Sequence, residues 1–188
     1  VIMITGDYPA TAKAIALQLE ATAEAPRLAD LAKAMNITAP AEAALGKARA
    51  TTKIAGTLDD LSFNNVNFEH NSGLLGLLFN GNAKLKNELT FAGNLTIAAP
   101  DLRKLAAAAG TQLPAGDVYK SFSLTGQTSG GAKDVLLKNA VVQFDNIKGS
   151  GEAALSFAGA NGKPRLTGSL TTGDINVTPY ATASGAPT

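Results

Sequence analysis

The stretches "DLSFNNVNFEH" (Asp60–His70) and "DVLLKNAVVQFDN" (Asp134–Asn146) decide the fold. In the first, Leu61 and Phe63 alternate with polar residues, and after Asn64-Asn65 the alternation resumes one position out of step at Val66 and Phe68. In the second, Val135 and Leu137 give way at Lys138-Asn139 to Ala140, Val142 and Phe144. Apolar residues at every second position mark a strand with one apolar and one wetted face. One extra residue returns both apolar sets to the same face, as a β-bulge does. The same slip in both stretches predicts two bent strands built to one plan.

The plan extends outward. "ATAEAPRLADLAKAMN" (Ala21–Asn36) matches "LTIAAPDLRKLAAAAG" (Leu95–Gly110) at a spacing of 74 residues, with Pro26, Leu28 and Leu31 on Pro100, Leu102 and Leu105. "VNFEHNSG" (Val66–Gly73) matches "VQFDNIKG" (Val142–Gly149) at a spacing of 76, which sets Glu69 against Asp145 and His70 against Asn146. Between these blocks "KIAGTLDD" corresponds to "SLTGQTSGGAKD", with a longer Gly-rich loop in the second copy. "GDINVTPY" (Gly173–Tyr180) resembles the start of a third copy, with Pro179 in the place of Pro100. Ordered blocks at a fixed period are the signature of a repeat array.

Each copy predicts a strand, a short helix and further strands. In "AKAIALQLEA", Ile15, Leu17 and Leu19 share one parity. Proline then opens a helix near 26–36 and near 100–109, where its missing N–H is not needed, and Asp101 suits the positive N-terminal end. Asn36 and Gly110 are natural stops. "YKSFSLTGQT", "GEAALSFAG" and "PRLTGSLTTGDINV" alternate again, and the short connections predict antiparallel meanders. The expected fold is mainly β (α+β): an extended, twisted antiparallel sheet from two tandem repeats, with one short helix per repeat, that can bend into a groove. The units are 1–94 and 95–180, with a flexible tail at 181–188. The opening "VIMIT" reads as a strand in mid-flow, so the chain is expected to be a fragment.

Composition bounds the function. Apolar residues make up 45% of 188, charged residues only 16%, and the formal net charge is +1. This gives no electrostatic case for nucleic acid. The absence of cysteine excludes disulfides, a thiol nucleophile and thiolate metal ligands. No stretch approaches the ~18 continuous apolar residues of a membrane span. A nucleophile–base pair needs a base in reach of a hydroxyl. The one histidine, His70, sits at a strand end before a turn, where a partly exposed turn residue is expected. Asp59-Asp60 fall at a turn. Glu69 and Asp145 lie in different copies, where their expected role is to polarise a turn or satisfy backbone N–H groups. The Gly stretches "TGQTSGG" and "KGSG" lack the Lys-Ser/Thr ending of a phosphate loop. The expectation is a non-enzyme with no catalytic, metal or cofactor residues.

What remains is surface. A one-sided apolar sheet that its helices do not fully cover must fold, oligomerise or hold an apolar ligand. The candidate groove or core residues are Leu61, Phe63, Val66, Phe68, Leu124, Leu137, Val142, Phe144, Leu155 and Phe157. The sequence leaves core and groove open for each of them.

"LTIAAPDLRKLAAAAGTQLP", "YKSFSLTGQ", "VLLKNAVVQFDNIKGSGEAAL" and "LTGSLTTGDINVTPY", in that order, together resemble the AsmA family of bacterial envelope proteins. The likeness covers Leu95–Tyr180 well and the upstream residues more loosely; the ordered set carries it, not any one motif. Copy one departs at "NSGLLGLLFNG". The resemblance implies a periplasmic protein, anchored in the inner membrane by a segment outside this fragment. It implies kinship with bridge-like lipid transfer proteins, and phospholipid or another acyl-chain lipid as partner in outer-membrane biogenesis. The rival expectation is a non-catalytic scaffolding β module that mates face-to-face with another protein or edge-to-edge, including with itself.

Overall fold

A computed structural model describes residues 17–30, 42–157 and 163–183. They form one open antiparallel sheet of nine strands in sequential order: β1 (Leu17–Ala25), β2 (Lys47–Thr57), β3 (Asp60–Asn71), β4 (Gly76–Leu85), β5 (Leu89–Ala99), β6 (Phe122–Gly131), β7 (Asp134–Phe144), β8 (Ile147–Ser156) and β9 (Arg165–Thr172). Two short helices, α1 (Leu102–Ala108) and α2 (Thr178–Ala183), and a 3₁₀ turn at Glu42–Ala44 complete the described elements. Residues 28–30 are helical, and the rest of the helix expected near 26–36 lies outside the described residues. So do "VIMIT", Ile15 and residues 184–188 of the expected tail; residues 181–183 belong to α2.

The order strand, helical connection, three strands occurs twice, and β9 with α2 begins it again. The boundary read at 94/95 falls inside β5, so the sheet runs through it without a break. Gly173–Val177 lies past the end of β9, so only the strand–helix order of the third copy appears. "TGQTSGG" is not a loop: Thr125–Gly131 is the second half of β6.

Both bulges are present. Asn65 (φ 53°) and Asn139 (φ 49°) are left-handed, and the registers of β3 and β7 slip at these residues. Asparagine enters this region more readily than most residues, because its short amide bonds locally. The bulges also fix the correspondence of β1–β3 with β5–β7 at 74 residues. His70 therefore matches Phe144, not Asn146, and Asn71 matches Asp145, where the sequence blocks had set Glu69.

The helical connections sit at one end of the sheet, which also carries the β3–β4 and β7–β8 turns; the β2–β3, β4–β5 and β6–β7 turns lie at the other end. Asp101 caps α1 by accepting the Lys104 N–H at 3.0 Å. Gly110 (φ 79°) ends it: the Gly110 N–H reaches the Ala107 carbonyl, and the Thr111 N–H the Ala106 carbonyl. This is a Schellman closure that a side chain at Gly110 would strain. Of the buried apolar residues, Ala29, Ala44, Ala48, Ala99 and Val118 lie beneath the helical end, and Ala140 lies in mid-sheet. All are small or medium in size, which suits a thin layer of helix on sheet. No large side chain among the described residues is fully buried.

Candidate functional site

Directly paired residues in an antiparallel sheet point to the same side. Reading the register across β1–β9 therefore assembles each face. One carries Leu19, Ile54, Leu61, Phe63, Val66, Phe68, Leu77, Phe79, Phe91, Leu95, Ile97, Phe122, Leu124, Val135, Leu137, Val142, Phe144, Leu155, Leu166 and Leu170. Among the described residues that face holds no Asp, Glu, Lys or Arg; its polar side chains are His70 and three threonines. The opposite face carries the charges, including the exposed pairs Arg49–Glu24 and Lys53–Glu20. Nine of the ten candidate residues share the apolar face. The tenth, Phe157, is one residue past β8 and 45% exposed.

The middle of this face is low. Small residues form a stepped floor across β4–β9: Gly81 pairs with Gly93, Gly126 lies opposite Leu95 and in line with Ala140 and Gly151, and Gly168 pairs with Ala153. The small residues are required by close approach. A Cβ on Gly81 would stand 2.2 Å from the Ala92 carbonyl oxygen and 2.8 Å from the Phe79 ring, and one on Gly93 2.4 Å from the Asn80 oxygen. The neighbouring backbone thus occupies the space a side chain would take, and Phe79 lies over the glycine pair with Phe91 edge-on to it at 6.0 Å. Toward β9 the trough opens into a hollow of about 360 Å³ lined by Leu124, Leu137, Ala140, Val142, Ala153, Leu166 and Leu170. Leu166 is 71% exposed and Leu170 59%.

Two polar anchors hold the helical end against the sheet. The Asp145 carboxylate accepts the N–H groups of Tyr119 (2.7 Å), Lys120 (2.6 Å) and Ser121 (2.9 Å), and the Tyr180 hydroxyl donates to it at 3.0 Å. Burial pushes its pKa up, but the N–H groups of Ser121, Lys120 and Tyr119 and the Tyr180 hydroxyl outweigh that, so its carboxyl lies below the ordinary 3.8. Asp145 (φ 53°) and Tyr119 (φ 58°) are both left-handed, a conformation the anchor holds in place. Tyr119, Phe144 and Tyr180 pack their rings 5.5–6.0 Å apart above it. In the first copy, Nε2 of His70 accepts the Gly46 N–H at 3.0 Å. His70 is 5% exposed, not a partly exposed turn residue, and burial pushes its pKa below 6.5. A neutral imidazole in this tautomer is what the bond needs.

Among the described residues no three His, Asp or Glu side chains converge to hold a metal ion, and no helix is long and apolar enough to cross a membrane. Asp59 lies in the β2–β3 turn, while Asp60 opens β3 and binds Lys84 and Lys86. Glu69 lies on the polar face opposite Arg49. Of the two carboxylates, Asp145 accepts three backbone N–H groups, all from the end of the β5–β6 connection. Phe144 belongs to the helical clamp, while Leu124, Leu137 and Val142 line the hollow. Sequence reasoning missed Phe79, Gly81, Phe91, Gly93 and Leu95. Their signal was present, since Gly81 and Gly93 each fall two residues after a phenylalanine.

Fold and site together define the class: a mainly β chain whose single open antiparallel sheet presents a continuous, uncharged apolar face. No family model, curated protein or solved structure matches the chain.

Proposed function

We propose that this chain is a segment of a periplasmic AsmA-like protein, inner-membrane anchored in full length, that binds or conducts phospholipid acyl chains along its apolar trough and so contributes to outer-membrane biogenesis. The observation that carries this reading is the uncharged apolar face running across all nine strands, with Leu166 and Leu170 largely open to solvent. At about 4.8 Å between strands the face is roughly 38 Å long. One leaflet of hydrocarbon is about 15 Å thick, so an acyl chain lies within the trough with room to spare. Each methylene taken from water contributes about 0.8 kcal/mol, so several suffice for binding without any polar group. A charged headgroup finds no counter-charge on this face and stays at its rim, where it keeps its water.

The test is to purify the chain from cells, extract it with organic solvent and identify bound lipid by mass spectrometry. Phospholipid in near-stoichiometric amount is expected. Leu166→Asp places a charge in the trough at an exposed position and should lose the lipid while keeping the far-UV circular dichroism. Lipid-free wild-type protein would sink the acyl-chain reading and leave a scaffolding module in contact with another envelope protein.

A further inference from the structure

The Phe79–Phe91 pair of the first copy has no counterpart in the second. Phe68 opposite Phe79 on β3–β4 corresponds to Val142 opposite Gly149 on β7–β8. Ala83 opposite Phe91 on β4–β5 corresponds to Ala153 opposite Gly168 on β8–β9. Two phenylalanines thus stand where the next copy has two glycines. In the first copy the Phe79 ring lies over the Gly81–Gly93 row, 2.8 Å from where a Cβ on either glycine would stand, and Phe91 meets it edge-on at 6.0 Å. In the second copy the matching place is the hollow of about 360 Å³, whose lining includes Gly151, Ala153 and Gly168. The contrast is one of side chains on strands paired alike in both copies, so it does not depend on what lies beyond β9.

We infer that the hollow of the second copy seats the end of a phospholipid acyl chain, and that Phe79 and Phe91 form a stop dividing it from the apolar face over β1–β3. This rests on the acyl-chain reading and adds to it where the chain ends. A chain terminus carries no polar atom, and the hollow offers it the side chains of Leu124, Leu137, Val142 and Ala153. Glu152, Thr167 and Ser169 also border the hollow, but by register their side chains belong to the opposite face. From β5, which carries Phe91, to β9 the face runs four strand spacings, about 19 Å. That exceeds the ~15 Å of one leaflet of hydrocarbon, so a whole chain fits on the β9 side of the stop. To pass it, a chain must displace rings already packed against the glycine row and against each other.

The test is to incubate the purified chain with phosphatidylcholine vesicles in which one palmitoyl chain ends in a diazirine, illuminate, and map the labelled peptides by mass spectrometry. In the wild type the label should fall on β6–β9 and at Phe91, and leave Ile54, Phe63 and Val66 of the same face unlabelled. Phe79→Ala combined with Phe91→Ala removes the stop, and the label should spread to those three residues with the circular dichroism spectrum kept. Ala153→Phe fills the hollow and leaves the stop in place, so β7–β9 should lose their label; this variant decides the matter even where the double variant does not fold. Wild-type label on Phe63 and Val66 equal to that on β7–β9 would overturn the inference and leave the acyl-chain reading standing. An unshifted map in a folded double variant, or undiminished label in Ala153→Phe, would do the same. No label on any strand of the wild type would sink the acyl-chain reading and this inference with it.

Discussion

Replacing Asp145 with alanine should unhook the last helix and the β5–β6 connection together. The carboxylate holds three backbone N–H groups within 2.9 Å and the Tyr180 hydroxyl at 3.0 Å. A hydrogen bond to a charged group contributes about 1.5–3 kcal/mol net. The four do not add, because Lys120 is exposed and its N–H regains water. About 3 kcal/mol is therefore expected for Asp145→Ala, and about 1–2 kcal/mol for Asp145→Asn, which keeps one acceptor oxygen and tolerates the left-handed backbone. In a chain of this size 1 kcal/mol moves Tm by about 2–4 °C, so the alanine variant should melt roughly 6–12 °C lower. Urea and thermal unfolding followed by circular dichroism measure both. The pH dependence supplies an independent check. The folded carboxyl lies below its unfolded value of 3.8, so its contribution is present above that value and lost as pH falls through the folded pKa. The Asn variant should lose that part of the acid dependence. A cost under ~1 kcal/mol for Asp145→Ala, or an unchanged acid limb, would refute the anchor as a stabilising device.

Other outcomes follow from the same physics. The depressed His70 pKa makes the neutral form the folded one, so its contribution is complete above 6.5 and is lost as pH falls through the folded value; His70→Phe, the residue at the matching position, should remove that slope, and NMR of the single imidazole should show its titration below 6.5. Thr128 buries a hydroxyl with no partner on the apolar face, so Thr128→Val should raise stability by about 1 kcal/mol in urea unfolding. Asn65→Val should cost about 1–2 kcal/mol through its left-handed backbone, whereas Asn65→Gly should be near neutral. Gly81→Val should fail to give a folded chain by circular dichroism, because the Ala92 carbonyl already occupies the side-chain position.

Much of the fold was legible because strands write their faces into the sequence at period two. The slips at Asn64-Asn65 and Lys138-Asn139 were readable as bulges, since only an extra residue reconciles Phe63 with Val66 or Leu137 with Ala140 on one face. The α1 boundaries were readable from Pro100, Asp101 and Gly110, whose preferences are local. The correspondence of His70 was not. Sequence blocks aligned it with Asn146 at 76 residues, while the ladder fixes it to Phe144 at 74. Register belongs to hydrogen bonds between strands, and block similarity within one strand does not carry it.

The sequence by itself determined that this is a mainly β, antiparallel sheet with few short helices, because pleat alternation and helix caps depend on neighbours a few residues away. Only the tertiary structure decided that Phe79 lies over Gly81 and Gly93 and Leu137 over Gly126, and that Asp145 gathers N–H groups from 24 to 26 residues earlier in the chain. Those features depend on which strand lies beside which and how closely their backbones approach, and that is settled when the strands pair.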